Sequence, residues 1–292
     1  MITVIGSINM DIAIQTDIFP KQGETVLGNL FTTIPGGKGA NQAVAVARLG
    51  SQVQMVGAVG KDSFGDELKS NLENENIVVD SVVRTSNSTG IANILLHDQD
   101  NRIIVVPGAN FDVTKDLIDE NMELIKKSSL IMLQLEIPVE TIEYVLEICQ
   151  QFEIPVLLNP APAANFKREW IEKVTFLTPN ETECLVMFGA DYETVLKQYP
   201  NKIIVTLGGD GAAYHNGSEI VRIAGYKTTA IDTTGAGDTF NGAFAHAITS
   251  GSSIDEAVYF ANIAASLSVE KFGAQGGMPT LQEVNARLEE QK

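Results

Sequence analysis

Leu130-Ile131-Met132-Leu133, followed by Val139-Glu140-Thr141-Ile142-Glu143-Tyr144-Val145-Leu146-Glu147-Ile148-Cys149-Gln150-Gln151 and then Val156-Leu157-Leu158, decides the fold. Two short, unbroken apolar runs flank a segment whose apolar residues, Ile142, Val145, Leu146 and Cys149, recur at helical spacing. A strand that is apolar on both faces must be covered on both faces, which points to a parallel sheet between helices. The same alternation runs along most of the chain. Thr3–Ile5, Gln54–Ala58, Phe176–Thr178 and Ile203–Thr206 read as strands. Ala40–Leu49, Gly65–Glu75, Thr114–Lys126 and Glu181–Phe188 read as helices. The C-terminal third is helical. Asp238–Ser250 ends at the capping residue Gly251, and Ser253-Ile254-Asp255-Glu256 opens a long helix through about Val269 with a capping box.

Two regions break the alternation. About Asp11 to Ile34 and about Thr89 to Val106 read as strand pairs without helices, the second turning at Asp98-Gln99-Asp100-Asn101. Inserted hairpins of this kind are expected to form a small sheet over the C-terminal edge of the main sheet, where ligands bind. A lid and an oligomer interface are both compatible with that placement.

Apolar residues make up 44% of the 292 and charged residues 20%, as in globular chains. The formal net charge of −17 disfavours nucleic acid and anionic membrane as partners. A phosphate-bearing ligand must therefore be held locally, by backbone amides, a few cations or metal ions. Cys149 and Cys184 form neither a disulfide framework nor a zinc spacing, and His97, His215 and His246 are scattered. No signal segment or membrane span is legible, so a cytoplasmic protein is expected.

The chemistry concentrates in Asp232-Thr233-Thr234-Gly235-Ala236-Gly237-Asp238-Thr239-Phe240, a small-residue loop running straight into a helix. A helix start presents unpaired N–H groups and partial positive charge to an anion, and Gly235 and Gly237 allow close approach. Asp238 at that spot is either a capping residue or a base that takes the proton from a hydroxyl attacking a phosphoryl group. The loop Gly36-Gly37-Lys38-Gly39-Ala40-Asn41-Gln42 opens the first long helix, with Lys38 and Asn41 as donors suited to hydroxyls. It is no Walker A loop, since Gly39 follows Lys38, and neither Gly-rich loop completes the dinucleotide fingerprint.

Asn9 and Asp11, in Gly6-Ser7-Ile8-Asn9-Met10-Asp11, are turn formers or grips for neighbouring sugar hydroxyls. Glu136 stands where ligand groups stand in open parallel sheets, or simply starts a helix. Asn180 and Glu183 make a capping box, and the same spacing aims both toward a magnesium hydration shell or nucleotide phosphates. Thr206-Leu207-Gly208-Gly209-Asp210-Gly211 receives a nucleotide or is a plain hairpin.

These motifs, in this order and across essentially the whole chain, resemble the ribokinase-like (PfkB) carbohydrate kinase family. Asn9-Met10-Asp11, Pro107-Gly108-Ala109-Asn110, Asn159-Pro160-Ala161-Pro162-Ala163 and Gly273-Ala274-Gln275 add to the two Gly-rich signatures. The resemblance implies a three-layer α/β/α fold with a central, mostly parallel sheet, one unit over 1–292, and a β lid formed by about 11–34 and 89–106. It also implies ATP-dependent phosphorylation of the 5-hydroxyl of ribose, with magnesium and often potassium.

Carried onto matching positions, the resemblance makes Asp238 the base, and Gly235, Ala236 and Gly237 the anion hole. Asn9, Met10, Asp11, Gly37, Lys38, Gly39, Asn41 and Glu136 would hold the sugar, beside Asp238. Asn180, Thr206, Leu207, Gly208, Gly209, Gly211, Gly237 and Asn262 would line the ATP site. Glu183 would stand near magnesium. Asp232, Thr234, Ser268, Lys271, Gly273 and Gly277 would meet potassium, mostly through carbonyl oxygens. Gly277 stands where the family commonly has Ser, and Asp191–Lys202 is short, implying a trimmed peripheral helix. Pairing of the lid with a second copy is implied as well. Relatives acting on deoxyribose, fructose or a nucleoside remain the neighbouring reading, and a non-catalytic sugar or nucleotide sensor a more distant one.

Overall fold

The computed structural model describes residues 1–98 and 100–290. The chain opens with β1 (Ile2–Ile5), β2 (Asn9–Thr16) and β3 (Gly28–Gly36), then α1 (Lys38–Arg48), β4 (Val53–Gly60) and α2 (Ser63–Asn74). It continues through β5 (Val82–Thr85), β6 (Gly90–His97), β7 (Asp100–Val106), α3 (Lys115–Glu120), α4 (Met122–Ile125), β8 (Leu130–Leu133), α5 (Val139–Gln151) and β9 (Val156–Leu158). Next come β10 (Phe176–Leu177), α6 (Glu181–Phe188), α7 (Tyr192–Gln198), β11 (Ile204–Thr206), β12 (Ala212–His215) and β13 (Ile220–Ile223). The chain closes with α8 (Ala236–Thr249), α9 (Ile254–Ser268) and α10 (Leu281–Glu289).

The central sheet runs β10-β9-β8-β1-β4-β5 and is parallel throughout. β1 lies between β4 and β8, with Ile2 level with both Val53 and Leu130. Bridges Leu177–Ile203 and Asn180–Thr206 carry the sheet on to the antiparallel strands β11-β12-β13. Leu130 and Met132 face one apolar cluster with Val44, Phe244 and Ala261, while Ile131 and Leu133 face another with Val145, Trp170 and Leu196. The unbroken apolar strands are thus buried on both sides, as a parallel sheet between helix layers requires. Burial pushes the thiols of Cys149 and Cys184 up to about 12, the state of small core residues. Among the described residues no helix is long and apolar enough to cross a membrane.

A second sheet runs β3-β2-β6-β7: β2 pairs antiparallel with β3 and parallel with β6, and β6 pairs antiparallel with β7. Its base, where Asn9 pairs with Gly36 and Gly90, sits beyond the C-terminal end of β1. Leu27, Leu30, Phe31, Ile103 and Ile104 are exposed along its outer strands, β3 and β7, and the short turn before β3. His97 pairs with Asp100 and Leu96 with Asn101, so Asp100 and Asn101 of the expected turn belong to β7; Gln99 lies outside the described residues.

The helix expected over Thr114–Lys126 is broken in two. Asn121 donates from Nδ2 to Leu117 O at 2.8 Å and accepts from Ser81, and these bonds end α3. β5 and α10 were not foreseen. The first is too short for a pattern, and the second announces itself only by the Thr280–Glu283 capping box. The short Asp191–Lys202 segment forms a single small helix, α7, capped by Asp191.

α8 packs closely on α1. A Cβ on Gly242 would lie 2.5 Å from the Ala45 methyl, so only glycine lets the helices approach this far. That contact brings the first turn of α1 beside the first turn of α8.

Candidate active site

α8 begins after Gly235, which holds φ 79°, and Asp238 occupies its first turn with 7% exposure. The Ala236 N–H donates to Thr233 O at 3.2 Å, whereas those of Gly235 and Gly237 meet no acceptor among the described residues. Of the three amides expected to receive an anion, the structure therefore leaves two free. Asp238 does not cap the helix: Gly235 is the N-cap and no side chain bonds there. Instead, Asn41 Nδ2 donates to Asp238 Oδ2 at 2.9 Å and Gln42 Nε2 to Oδ1 at 3.1 Å.

α1 starts at Gly37, whose φ of 89° and missing Cβ let the turn rest on the backbone of Asn9; a Cβ would come 2.7 Å from Asn9 N. Gly39 packs as closely on Gly6 and Ser7. Lys38 projects among Asp238, Glu136, Glu183 and Asp11. Burial opposes its charge, but those four carboxylates outweigh burial and hold the ammonium above the ordinary lysine value. Ser7 Oγ donates to Glu136 Oε2 at 2.5 Å, and the Lys38 N–H reaches the same oxygen at 3.2 Å. Asp11 is raised to about 7 by burial first, then by Glu136 and Asp238, against the pull of Lys38. Asn9 Oδ1 accepts from Asn110 Nδ2 at 2.6 Å.

Two cavities meet at this point. One of about 130 Å³ is lined by Lys38, Asn159, Asn180, Glu183, Gly235 and Asp238, among others. It shares Thr206 and Gly237 with a cavity of about 570 Å³ lined by Gly208, Gly209, Gly211, Tyr226, Phe240 and Asn262. The larger has the size and partly apolar walls of a site for a nucleotide-sized ligand. Asn180 and Glu183 do form the expected capping box, and Glu183 still faces the smaller cavity. Burial raises the Glu183 carboxyl against the pull of the Asn180 N–H and Lys38.

Several expected residues stand apart from these walls. Met10 is fully buried in the apolar core and Leu207 packs against the second core cluster. Asn41 is engaged on both ends, donating to Asp238 and accepting from Gln275 Nε2 at 3.0 Å, which leaves it a second Nδ2 hydrogen and a second Oδ1 lone pair. Asn262 donates to Ile223 O and Ala224 O, fixing the cavity wall it belongs to. Sequence reading missed Ser7, Gln42, Asn110 and Asn159 as site-building side chains. Each lies inside or beside a quoted motif, but only the packed structure shows what it bonds.

Just before the Gly235–Gly237 loop, Asp232 accepts from the N–H of Thr234 and of Gly273, each at 2.9 Å. These bonds overcome partial burial and hold its carboxyl below the ordinary value, so it is ionised. It ties the 232–234 turn to the 268–277 loop. The Lys271 side chain points to Glu283 and the Ser268 hydroxyl to Ala265 O. A Cβ at Gly277 would lie 1.8 Å from Ser268 O, so no hydroxyl-bearing side chain fits there.

The sequence pattern described as pfkB family carbohydrate kinase matches residues 1–281. A ribokinase of Lactococcus lactis subsp. lactis is 48% identical over 291 residues, covering 99% of this chain and 97% of that protein. The ribokinase of Thermotoga maritima superposes with a TM-score of 0.91 at 39% identity, covering 99% of both chains. The ribokinase of Arabidopsis thaliana, solved with ribose and ATP, does so at 0.90 and 32% identity, covering 99% and 98%.

Asp11 generates a pH test on the ligand-free protein. Aspartate titrates near 3.9 when unfolded and, at this site, about 7 when folded, so the fold holds an extra proton between those values and loses stability as pH rises through them. Asp11→Asn removes that loss. Its stability should exceed the wild-type value at pH 8 by on the order of 4 kcal/mol, read as a higher melting temperature, and the gap should close as pH falls toward about 4. A gap that stays constant with pH would contradict the assignment.

Proposed function

This chain belongs to the pfkB family of carbohydrate kinases, and we propose that it transfers the γ-phosphoryl group of ATP to the 5-hydroxyl of D-ribose. It is a phosphotransferase with an alcohol acceptor, as its close similarity to ribokinases over nearly the full chain supports. One observation carries the assignment of roles: the Asp238 carboxylate faces a small cavity that shares two walls, Thr206 and Gly237, with the nucleotide-sized one.

In this reading ribose lies under the small β sheet, near Asp11, Asn9, Lys38 and Glu136, and ATP lies in the larger cavity. Asp238 accepts the hydroxyl proton as the oxygen attacks the γ-phosphorus. The free N–H groups of Gly235 and Gly237, at the positive end of α8, and the Lys38 ammonium stabilise the charge on the transferring group. The sheet over the sugar acts as a lid that excludes water. Among the described residues no group of three or more His, Cys, Asp or Glu is arranged to hold a metal ion. The donor set therefore fits a magnesium ion held chiefly by phosphate oxygens, with Glu183 facing it. Potassium fits the Asp232 carboxylate and the carbonyls of the 268–277 loop, one ligand short at Gly277. The exposed apolar side chains of β3 and β7 suit pairing with a second copy.

The sugar-side loops carry no aromatic residue of the kind a nucleobase pocket uses, which favours a polyhydroxylated pentose over a nucleoside. The present Asp238 weighs against a mere sensor.

Three measurements check these statements. Asp238→Asn should lower kcat with ribose by about 10²–10⁴ and leave KM nearly unchanged, with fructose, deoxyribose and adenosine poorer acceptors than ribose for the wild type; near-wild-type turnover in the variant removes the base. Replacing potassium by sodium or choline at constant ionic strength should slow turnover, and equal rates would remove the cation. Sedimentation should give a dimer that Ile104→Lys converts to monomer, whereas a wild-type monomer at micromolar concentration refutes the pairing.

A further inference from the structure

Asp238 is met by two neutral amides, and the one from Gln42 is itself locked from behind. Gln42 is 1% exposed and its Oε1 accepts from Gln134 Nε2 at 2.7 Å; Gln134 is 0% exposed. The Gln42 amide nitrogen also donates to Asn159 Oδ1 at 3.2 Å, and Asn159 Nδ2 donates to Thr178 O at 3.2 Å. The direction of this chain follows from its end. A carboxylate only accepts, so Gln42 must offer its N–H₂ and turn its carbonyl toward Gln134, which must then offer its own N–H₂. The consequence is visible: Gln134 Oε1 is left buried with no partner among the described residues. A buried orphan of this kind is disfavoured unless the rest of the arrangement requires it.

We propose that Gln42, oriented by Gln134 and Asn159, is a positioning residue that holds the Asp238 carboxylate in its rotamer and in the form able to accept a proton. The inference rests on the assignment of Asp238 as the base. Each Asp238 oxygen receives a single amide bond, which leaves lone pairs on both for the incoming hydroxyl. Protonating Asp238 would set an O–H against a donor that cannot turn round, because Gln134 fixes it. Uncharged donors achieve this without adding a further cation to Lys38, which already stands beside the carboxylate. The charged groups gathered around Asp238 and Lys38 are Asp11 of β2, Glu136 beyond β8 and Glu183 of α6. All of them remain in the variants below, as does Lys38 of α1.

The test is steady-state kinetics of the whole protein with ATP and ribose from about pH 5 to 9, beside melting curves. Gln42→Met should lower kcat about 10–100-fold, keep both KM values within about threefold, and move the acid limb of kcat upward by about half a pH unit or more. Gln134→Met should do the same to a smaller degree. Gln42→Glu keeps the side-chain volume; its kcat relative to wild type should be lowest near pH 8 and recover as pH falls, because a protonated glutamate can again donate. A Gln42→Met profile that overlays the wild-type shape, whatever its amplitude, overturns the inference, since a packing defect lowers the active fraction without moving a pH midpoint. If that variant does not fold, Gln42→Glu decides, and a ratio flat with pH overturns the inference. Near-wild-type turnover in Asp238→Asn would instead overturn the assignment beneath it, and the two failures are thereby told apart.

Discussion

The close seating of α8 on α1, permitted by Gly242 against Ala45, is the contact on which the rest of the site depends. It sets two helix N-termini side by side at one end of the parallel sheet, each entered through a glycine at positive φ. Their partial positive charges add in the same cleft. In a chain of net charge −17, this backbone field favours an anion locally, against the side chains as a whole. The same contact carries Asn41 and Gln42 of one helix to the carboxylate of the other. A shift of α1 along α8 would therefore disturb the Gly235–Gly237 loop and Asp238 together.

Around that contact the electrostatics are deliberately crowded. Four carboxylates surround Lys38, and burial first, with neighbouring carboxylates after it, raises Asp11 and Glu183 above their ordinary values. Buried charge of one sign is disfavoured in isolation and becomes useful when a polyhydroxylated ligand supplies donors. The small mixed sheet above the cleft has the complementary design. Its base is tied to the body through Asn9 and Asn110, while its outer strands are apolar and exposed.

Much of the architecture was legible because it is local. Leu130–Leu133, Val139–Gln151, Val156–Leu158 and Glu181–Phe188 have in the structure the bounds that their periodicity and flanking turns imply. The Ser253 and Asn180 capping boxes were readable for the same reason, since a cap is a contact between residues three apart. The break at Asn121 was not, because it depends on Ser81, far away in sequence.

The site divides along the same line. Residue type and order alone determined that a carboxylate follows a Gly-rich loop at a helix start, and that a second such loop carries a lysine and an amide, because backbone geometry and helix polarity are short-range properties. Only the tertiary structure decided what those groups do to one another: that Asn41 turns to Asp238, that Met10 and Leu207 are core, that Gly277 leaves no space beside Ser268 O, and that Gln134 orients Gln42. Hydrogen-bond direction and charge crowding are sums over neighbours distant in sequence, and no window of the chain contains those neighbours together.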